Sequence, residues 1–347
     1  MEKKVTTFPS KKMSSRVPFE LYDEYLRGQM EYWRQVRESG GFDLEDISVP
    51  QGTTGLMPYD CEREDVRYPD PVLVKRYARF GLHRYNICHG TNLQFHHLKK
   101  FNVTMICQAT YYITLAACDP ATTSLVTLHL GVAEGCRDAC SLNLTCFIAK
   151  LEDTPCEPFQ LPDTEELVDD AQLPYWPSDF NDCQRFYQVK ESELQDNDWI
   201  RLYLELALCT NDRELEDSDL SQLQIVKVAI EGIQGNETLQ AAAANVYIMF
   251  KGLAMASIGE LGEHVVRKVI VRRAFNEPAG CMTLMGGYGL SIGEVAEERD
   301  TSRPNFIDLF KAGKFIPYRG PMTGPPLGGI LGRKAIEEGL FRDYGQD

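Results

Sequence analysis

Histidine and cysteine are the residues of this chain best suited to nucleophilic or metal chemistry, and the sequence holds six of the first and eleven of the second. Cys88 directly precedes His89, but a thiolate–imidazole pair needs side chains that face each other, and neighbours in sequence do not. His96 and His97 occupy consecutive positions of a β-rich stretch, where side chains alternate between faces, so joint ligation of a metal is not expected from them. Cys136 and Cys140 come closest to half of a zinc site, yet Cys-x-x-x-Cys without a second pair does not complete four-coordinate zinc. The run from Gly286 to Gly293 is glycine-rich like a dinucleotide loop, but its last interval is wrong and no strand–helix–strand pattern surrounds it, so it reads as a turn. No Walker loop and no His-Glu-x-x-His occurs. The expectation is a protein without metal or cofactor and without enzymatic activity.

Charge narrows the partners. A net charge of −15 opposes the phosphate neutralisation on which nucleic-acid affinity rests, and the densest basic run, Arg267 to Arg273, alternates with Val and Ile as the outer face of a strand would. The acidic stretches Asp163 to Asp170 and Glu214 to Asp219 read as solvated loops and lack the spacing of a calcium loop. The odd cysteine count without a repeating framework points to buried thiols in a reducing compartment. Met1 to Arg16 carries lysines but no apolar core, so it is not read as a secretory signal, and no stretch is apolar for long enough to cross a bilayer. A cytoplasmic location follows, with nucleus and organelles left open, and the sequons at Asn102, Asn143 and Asn236 read as chance matches. A protein or peptide partner is expected, and neither nucleic acid nor membrane.

The elements that would position these residues emerge from hydrophobic period. Apolar residues recur at helical spacing over Pro18 to Glu38 and again over Val72 to Ile87, the second stopped by His89-Gly90. Between them, Asp43 to Asp70 carries prolines and glycines and reads as connection. β-formers then fill Leu93 to Ile106, Ala109 to Cys118, Leu125 to Val132 and Leu142 to Lys150, separated by turn material. Prolines alternate with acids from Leu151 to Asp182. Beyond that break, Leu202, Leu204, Leu206 and Leu208 alternate with Arg201, Tyr203 and Glu205 and predict a strand, followed by strands at Leu223 to Ile230, Val246 to Phe250, Val265 to Val271 and Cys281 to Met285. The fold class is α+β: a helix packed on an antiparallel sheet, then a second, mainly antiparallel β domain and an irregular tail. The expected division is 1–69 for the N-terminal helix and connection, 70–150 for the first domain, 151–182 for a Pro/acid-rich linker, 183–287 for the second domain and 288–347 for the tail. No repeat of solenoid length stands out.

Tyr77-Ala78-Arg79-Phe80-Gly81-Leu82 resembles the Leu-Ala-Arg-Phe-Ala-Val helix motif of plant cystatins, and Tyr111-Tyr112-Ile113-Thr114-Leu115, at a matching interval, resembles their Tyr-Tyr-Leu-Thr-Leu strand. The resemblance implies a cystatin-like, or monellin-like, helix and sheet over residues 70–150. From Tyr32-Trp33-Arg34-Gln35 through Glu193 to Arg201 the chain also resembles a plant-specific family with no assigned activity. Inhibitory cystatins insert a Gln-x-Val-x-Gly hairpin into a protease cleft, where the glycine permits close backbone approach. Here Thr104-Met105-Ile106-Cys107-Gln108 stands in that place, without the Gln at its start or the Gly at its end, and no Pro-Trp pair occurs over Leu128 to Cys136. These five residues are the candidate binding site as a degenerate inhibitor loop. The leading expectation is a non-catalytic interaction module on a cystatin-like scaffold; a cysteine-protease inhibitor and an enzyme of unassigned chemistry are the alternatives.

Overall fold

The computed structural model describes residues 19–50, 55–63, 67–104, 109–135, 141–154, 173–233, 239, 241–253, 265–276 and 280–288. In chain order its elements are α1 (Phe19–Glu38), β1 (Leu56–Asp60), α2 (Pro71–His89), β2 (Gln94–Thr104), β3 (Thr110–Cys118), β4 (Leu125–Glu134), β5 (Ser141–Leu151), β6 (Tyr187–Gln188), α3 (Glu191–Asp196), α4 (Asp198–Cys209), α5 (Asp217–Ser221), β7 (Gln224–Gly232), β8 (Ala244–Lys251), β9 (Arg267–Asn276) and β10 (Cys281–Tyr288). The strands make one ten-stranded sheet in the order β1-β2-β3-β4-β5-β10-β9-β8-β7-β6. Every neighbouring pair is antiparallel.

Local chemistry explains the first half. Pro71 opens α2 where its missing N–H costs nothing, and Gly90 closes it in the left-handed conformation with its N–H donated to the Asn86 carbonyl. The Asn86 side chain then donates to Leu93 O and accepts from Leu93 N, tying the helix end to the start of β2. The apolar stripe of α2, with Leu73, Val74, Tyr77 and Phe80 buried, lies on β2, β4 and β5. Gly81 permits that approach, because a Cβ there would sit 2.7 Å from Leu130 Cδ1 of β4. Strand β1 falls inside the stretch expected to be connection, and its Pro58 is tolerated because it lies on a sheet edge.

The second half departs from the sequence reading at one element. Residues 198–209 form α4, not a strand: the alternating leucines share the segment with Trp199, Ile200, Tyr203 and Ala207, and Trp199, Ile200 and every residue from Leu202 to Cys209 are buried. A helix enclosed by α2 on one side and β9 and β10 on another is apolar nearly all round, and its leucines can mimic period two. A further correction concerns the basic run of β9. Arg267, Arg272 and Arg273 are buried rather than solvent-facing, in a strand with neighbours on both edges, and Lys268 alone of the run's basic residues is exposed.

Strand registers reveal an internal duplication. Cys146 pairs with Met282 and Leu144 with Leu284, so a twofold axis through Thr145 and Thr283 exchanges β5 and β10; those two hydroxyls lie 3.2 Å apart. Following the pairing outward from the axis, Val132 of β4 corresponds to Arg273 of β9; β5 then carries a bulge at Phe147 that β10 lacks, and counted along the strands from that pair Leu128 and Leu130 correspond to Val269 and Val271. Ile113 and Leu115 of β3 likewise correspond to Val246 and Ile248 of β8, and Phe95 and Leu98 of β2 to Ile225 and Val228 of β7. At the rims Tyr59 of β1 corresponds to Tyr187 of β6. Each half is thus an edge strand, a helix and four antiparallel strands, and one continuous hydrophobic core lies between α2, α4 and the helix-facing side of the sheet.

The reverse face is covered in two places. Tyr32 and Val36 of α1, with Phe42 and Leu44 beyond it, pack on Tyr112. Phe180 and Phe186 pack on Ala229, Tyr247 and Ile270. Asn102 on this face donates from its side-chain amide to the carbonyls of Gly41 and Phe42, both at 2.8 Å. Asn102 and Asn143 are 2% and 5% exposed, so neither sequon is open to a glycan in the folded chain.

Candidate functional site

A sheet edge is a row of backbone donors and acceptors, and each half of this sheet leaves part of one uncovered. β1 pairs only with Lys100 to Thr104 of β2, and Cys61 N adds one bond to Lys99 O at 2.8 Å. Outward of Gln94 to Leu98 no backbone partner is present among the described residues. In the other half β6 covers Ala229 and Ile230, and Val189 N reaches Val228 O at 3.1 Å, leaving Gln224 to Lys227. Both open segments carry a bulge at the equivalent residue, His96 in one and Val226 in the other. The bulge changes what the sequence implied about the histidines: the extra residue brings His96 Nδ1 to 2.7 Å from His97 Nδ1, where strict alternation would part them. His97 Nε2 then lies 3.2 Å from a Glu62 oxygen. No group of three or more His, Cys, Asp or Glu side chains is arranged to hold a metal among the described residues.

The inhibitor-loop equivalent begins at the far end of the same strand. Thr104 closes β2 opposite Leu56, and its hydroxyl accepts a hydrogen bond from Thr110 N at 2.8 Å, bracing the base of the β2–β3 connection. Met105, Ile106, Cys107 and Gln108 lie outside the described residues.

Two charged networks lock the helices. Glu205 of α4, 4% exposed, accepts from Arg76 Nε at 3.1 Å, Arg79 Nη1 at 3.2 Å and Arg201 Nε at 3.0 Å, joining α2 to α4. Asp217, from the stretch read as a solvated loop, is a second acceptor for Arg76. Glu134 of β4 accepts from Tyr77 Oη at 2.8 Å and Arg213 Nη2 at 2.9 Å, and Arg213 also reaches Asp70 at 3.0 Å. These networks are paired internally and tie α2 to α4 and to β4.

A third polar group lies between α2, α4 and β9. His83 stacks near Trp199 with ring centres 5.8 Å apart and meets Tyr203 edge-on at 5.7 Å, while the Arg273 guanidinium sits 4.7 Å above the Trp199 ring. Burial, with Arg273 adding to it, holds the His83 imidazole down to about 3. Burial pushes the Tyr203 hydroxyl up to about 12, with nearby Arg273 opposing the shift. Sequence reasoning missed this cluster, since its members come from three elements and one of those was read as the wrong type; the arginine inside an apolar strand was its one legible sign.

The remaining sequence candidates separate. His89 Nδ1 lies 3.0 Å from the Tyr85 carbonyl and its ring stacks on Tyr85, so its contacts run along the helix rather than to an exposed Cys88. The cysteines of the described residues are free thiols, and burial pushes Cys61 and Cys209 up to about 12 and Cys146 to about 11, which leaves them protonated and poorly nucleophilic at neutral pH. Gly286 and Gly287 lie within β10 rather than in a turn. Gly289-Leu290-Ser291-Ile292-Gly293 also spells Gly-x-Ser-x-Gly and lies outside the described residues. The strand it follows runs antiparallel to both neighbours, unlike the strand-to-helix turn on which a nucleophile elbow is built. No described helix is long and apolar enough to cross a membrane.

Comparison with known proteins adds kinship. Residues 173–284 match the family model described as Protein MS5. The chain is similar to UPF0725 protein At3g19520 of Arabidopsis thaliana, 43% identical over 298 residues that cover 81% of this chain and 95% of that protein. It is also similar to UPF0725 protein At1g02770 of Arabidopsis thaliana, 46% identical over 262 residues covering 74% and 81%. Among solved structures, the crystal structure of MS5 from Brassica napus is 32% identical with a TM-score of 0.48, covering 63% of this chain and 97% of that one. The chain belongs to the UPF0725 family.

Proposed function

We propose, with that membership as premise, that the chain is a non-catalytic protein-interaction module built on a doubled cystatin-like scaffold, and that it takes up an extended peptide as an added strand. The observation that carries this reading is the outer side of β2 over Gln94 to Leu98, which has no backbone partner among the described residues. Strand addition draws its affinity from main-chain hydrogen bonds and needs no special side chain, which accords with a chain whose recognisable motifs concern fold rather than chemistry. The scaffold reading is supported by α2 followed by four antiparallel strands and by the same arrangement at α4, in the half where the sequence predicts no helix. The short edge strands and the bulges at His96 and Val226 limit indiscriminate edge pairing, so a partner must tolerate a local kink.

The test is selection of a displayed random-peptide library on the folded full chain, followed by amide hydrogen exchange of the complex. The expected result is enrichment of extended, strand-forming peptides that slow exchange at Gln94 to Leu98. Peptides that protect only other surfaces, or repeated selections with no enrichment, refute the reading.

A further inference from the structure

The two halves differ in charge at their outer rims. On the sheet face turned away from α2 and α4, Lys227 of β7, Met249 of β8 and Lys268 of β9 stand opposite one another in one row. The row adjoins Ala229, Tyr247 and Ile270, which Phe180 and Trp176 cover. Both lysines lean on that cover: Lys227 Nζ lies 5.3 Å from the Phe180 ring centre, and Lys268 Nζ lies 5.1 Å from that of Trp176. Lys251, two residues along β8 from Met249, adds a third ammonium on the same face. None of the three is in an ion pair among the described residues, in a chain whose net charge is −15.

Lysine on an edge strand guards against stray pairing, which accounts for Lys227 but not for Lys251 and Lys268, whose strands lie inside the sheet. Nor does the scaffold require the row. Its equivalent in the first half is His97, Ala116 and Thr127, and His97 there faces the Glu62 carboxylate at 3.2 Å. The lysines border the open backbone of Gln224 to Lys227, where Val226 is 50% exposed. Unpaired main-chain groups, an exposed valine and three uncompensated cations together match an extended chain that carries both carboxylates and apolar side chains. A lipid surface would use the charge and leave the backbone groups unpaired. We propose that the outer side of β7 takes up an acidic extended peptide as an added strand, its carboxylates on Lys227 and Lys251, with Lys268 strengthening the positive field. The proposal extends the strand-addition reading to the other rim of the sheet and rests on residues that the β2 site does not share.

The experiment titrates the full chain into a fluorescent peptide of alternating Glu and Val residues, read by anisotropy, with amide hydrogen exchange to locate the complex. Wild type should bind saturably and show slowed exchange at Gln224 to Lys227, and a peptide of alternating Lys and Val should not bind. Reversing both charges in the Lys227→Glu, Lys251→Glu variant should weaken binding about tenfold or more. Lys251→Gln alone should weaken it about threefold, and decides if the double variant does not fold. Raising NaCl from about 50 mM to about 500 mM should weaken it severalfold. The site of protection separates the two readings, since failure at Gln94 to Leu98 refutes only the β2 site. Equal affinity for the acidic and basic peptides, protection away from Gln224 to Lys227, or affinity unchanged by the lysine variants overturns the proposal. So does binding to phosphatidylserine vesicles without binding of the peptide, or a dimer of the chain that buries the same residues.

Discussion

Replacing His83 by Gln should remove a measurable part of the acid sensitivity of this fold. In the folded chain burial, reinforced by Arg273, holds the imidazole down to about 3, against an ordinary value of 6.5. Because the folded value is the lower one, the unfolded chain takes up the proton first. The stability contribution is therefore complete above the unfolded value and falls as pH drops through 6.5 toward 3. At about 1.4 kcal/mol per pH unit for one proton, acidification from about pH 7.5 to about pH 5 costs about 2 kcal/mol through this side chain. His129 shifts in the same direction, chiefly by burial, and adds to the slope. Carboxylates whose values are lowered from 4.5, Glu193 and Glu231 among them, shift away from that interval and leave it largely to histidine. Urea midpoints of wild type and His83→Gln at the two pH values provide the assay, read as the difference in pH dependence rather than in absolute stability. If the variant loses as much stability as wild type across the interval, the imidazole is not held neutral by the fold and the reasoning fails.

Glu205→Ala should destabilise by about 3–5 kcal/mol in urea titration, since it leaves the nearly buried Arg76 without its inner partner. Gly252→Ala should cost more than about 1 kcal/mol by the same measurement, because the residue has φ +105° and a Cβ there would run into the Gln222 carbonyl. Cys146 and Cys209, buried and protonated, should resist a thiol reagent in the native protein at neutral pH and react promptly in denaturant; rapid native labelling located at either by mass spectrometry would contradict their placement.

Much of the first half was legible because its signals are local. Pro71 and Gly90 bound α2 by conformational preference, and the strands β2 to β5 are long runs of β-formers separated by turns. The loss of legibility begins where burial is complete. In α4 nearly every position is apolar, so period no longer distinguishes one buried face from two, and Leu202, Leu204, Leu206 and Leu208 read as a strand. The arginines of β9 misled for a related reason: charge is taken as exposure unless a partner is known, and the partners of Arg272 and Arg273 include Asn245 and the carbonyls at Leu239 and Ala241, from a different part of the chain. The histidine pair failed differently, since a bulge is decided by the neighbouring strand and not by the residues that form it.

The sequence by itself determined the α+β class, the strands β2 to β5 and β7 to β10 and the two leading helices, because each rests on residue type or on contacts between near neighbours. Only the tertiary structure decided that the two sets of strands join through β5 and β10 into one sheet, that the halves are related by a twofold axis at Thr145 and Thr283, and that His83, Tyr203 and Arg273 meet. Those facts depend on which strand edges pair across long stretches of chain, and main-chain hydrogen bonds carry no side-chain signature by which a sequence could announce its partner.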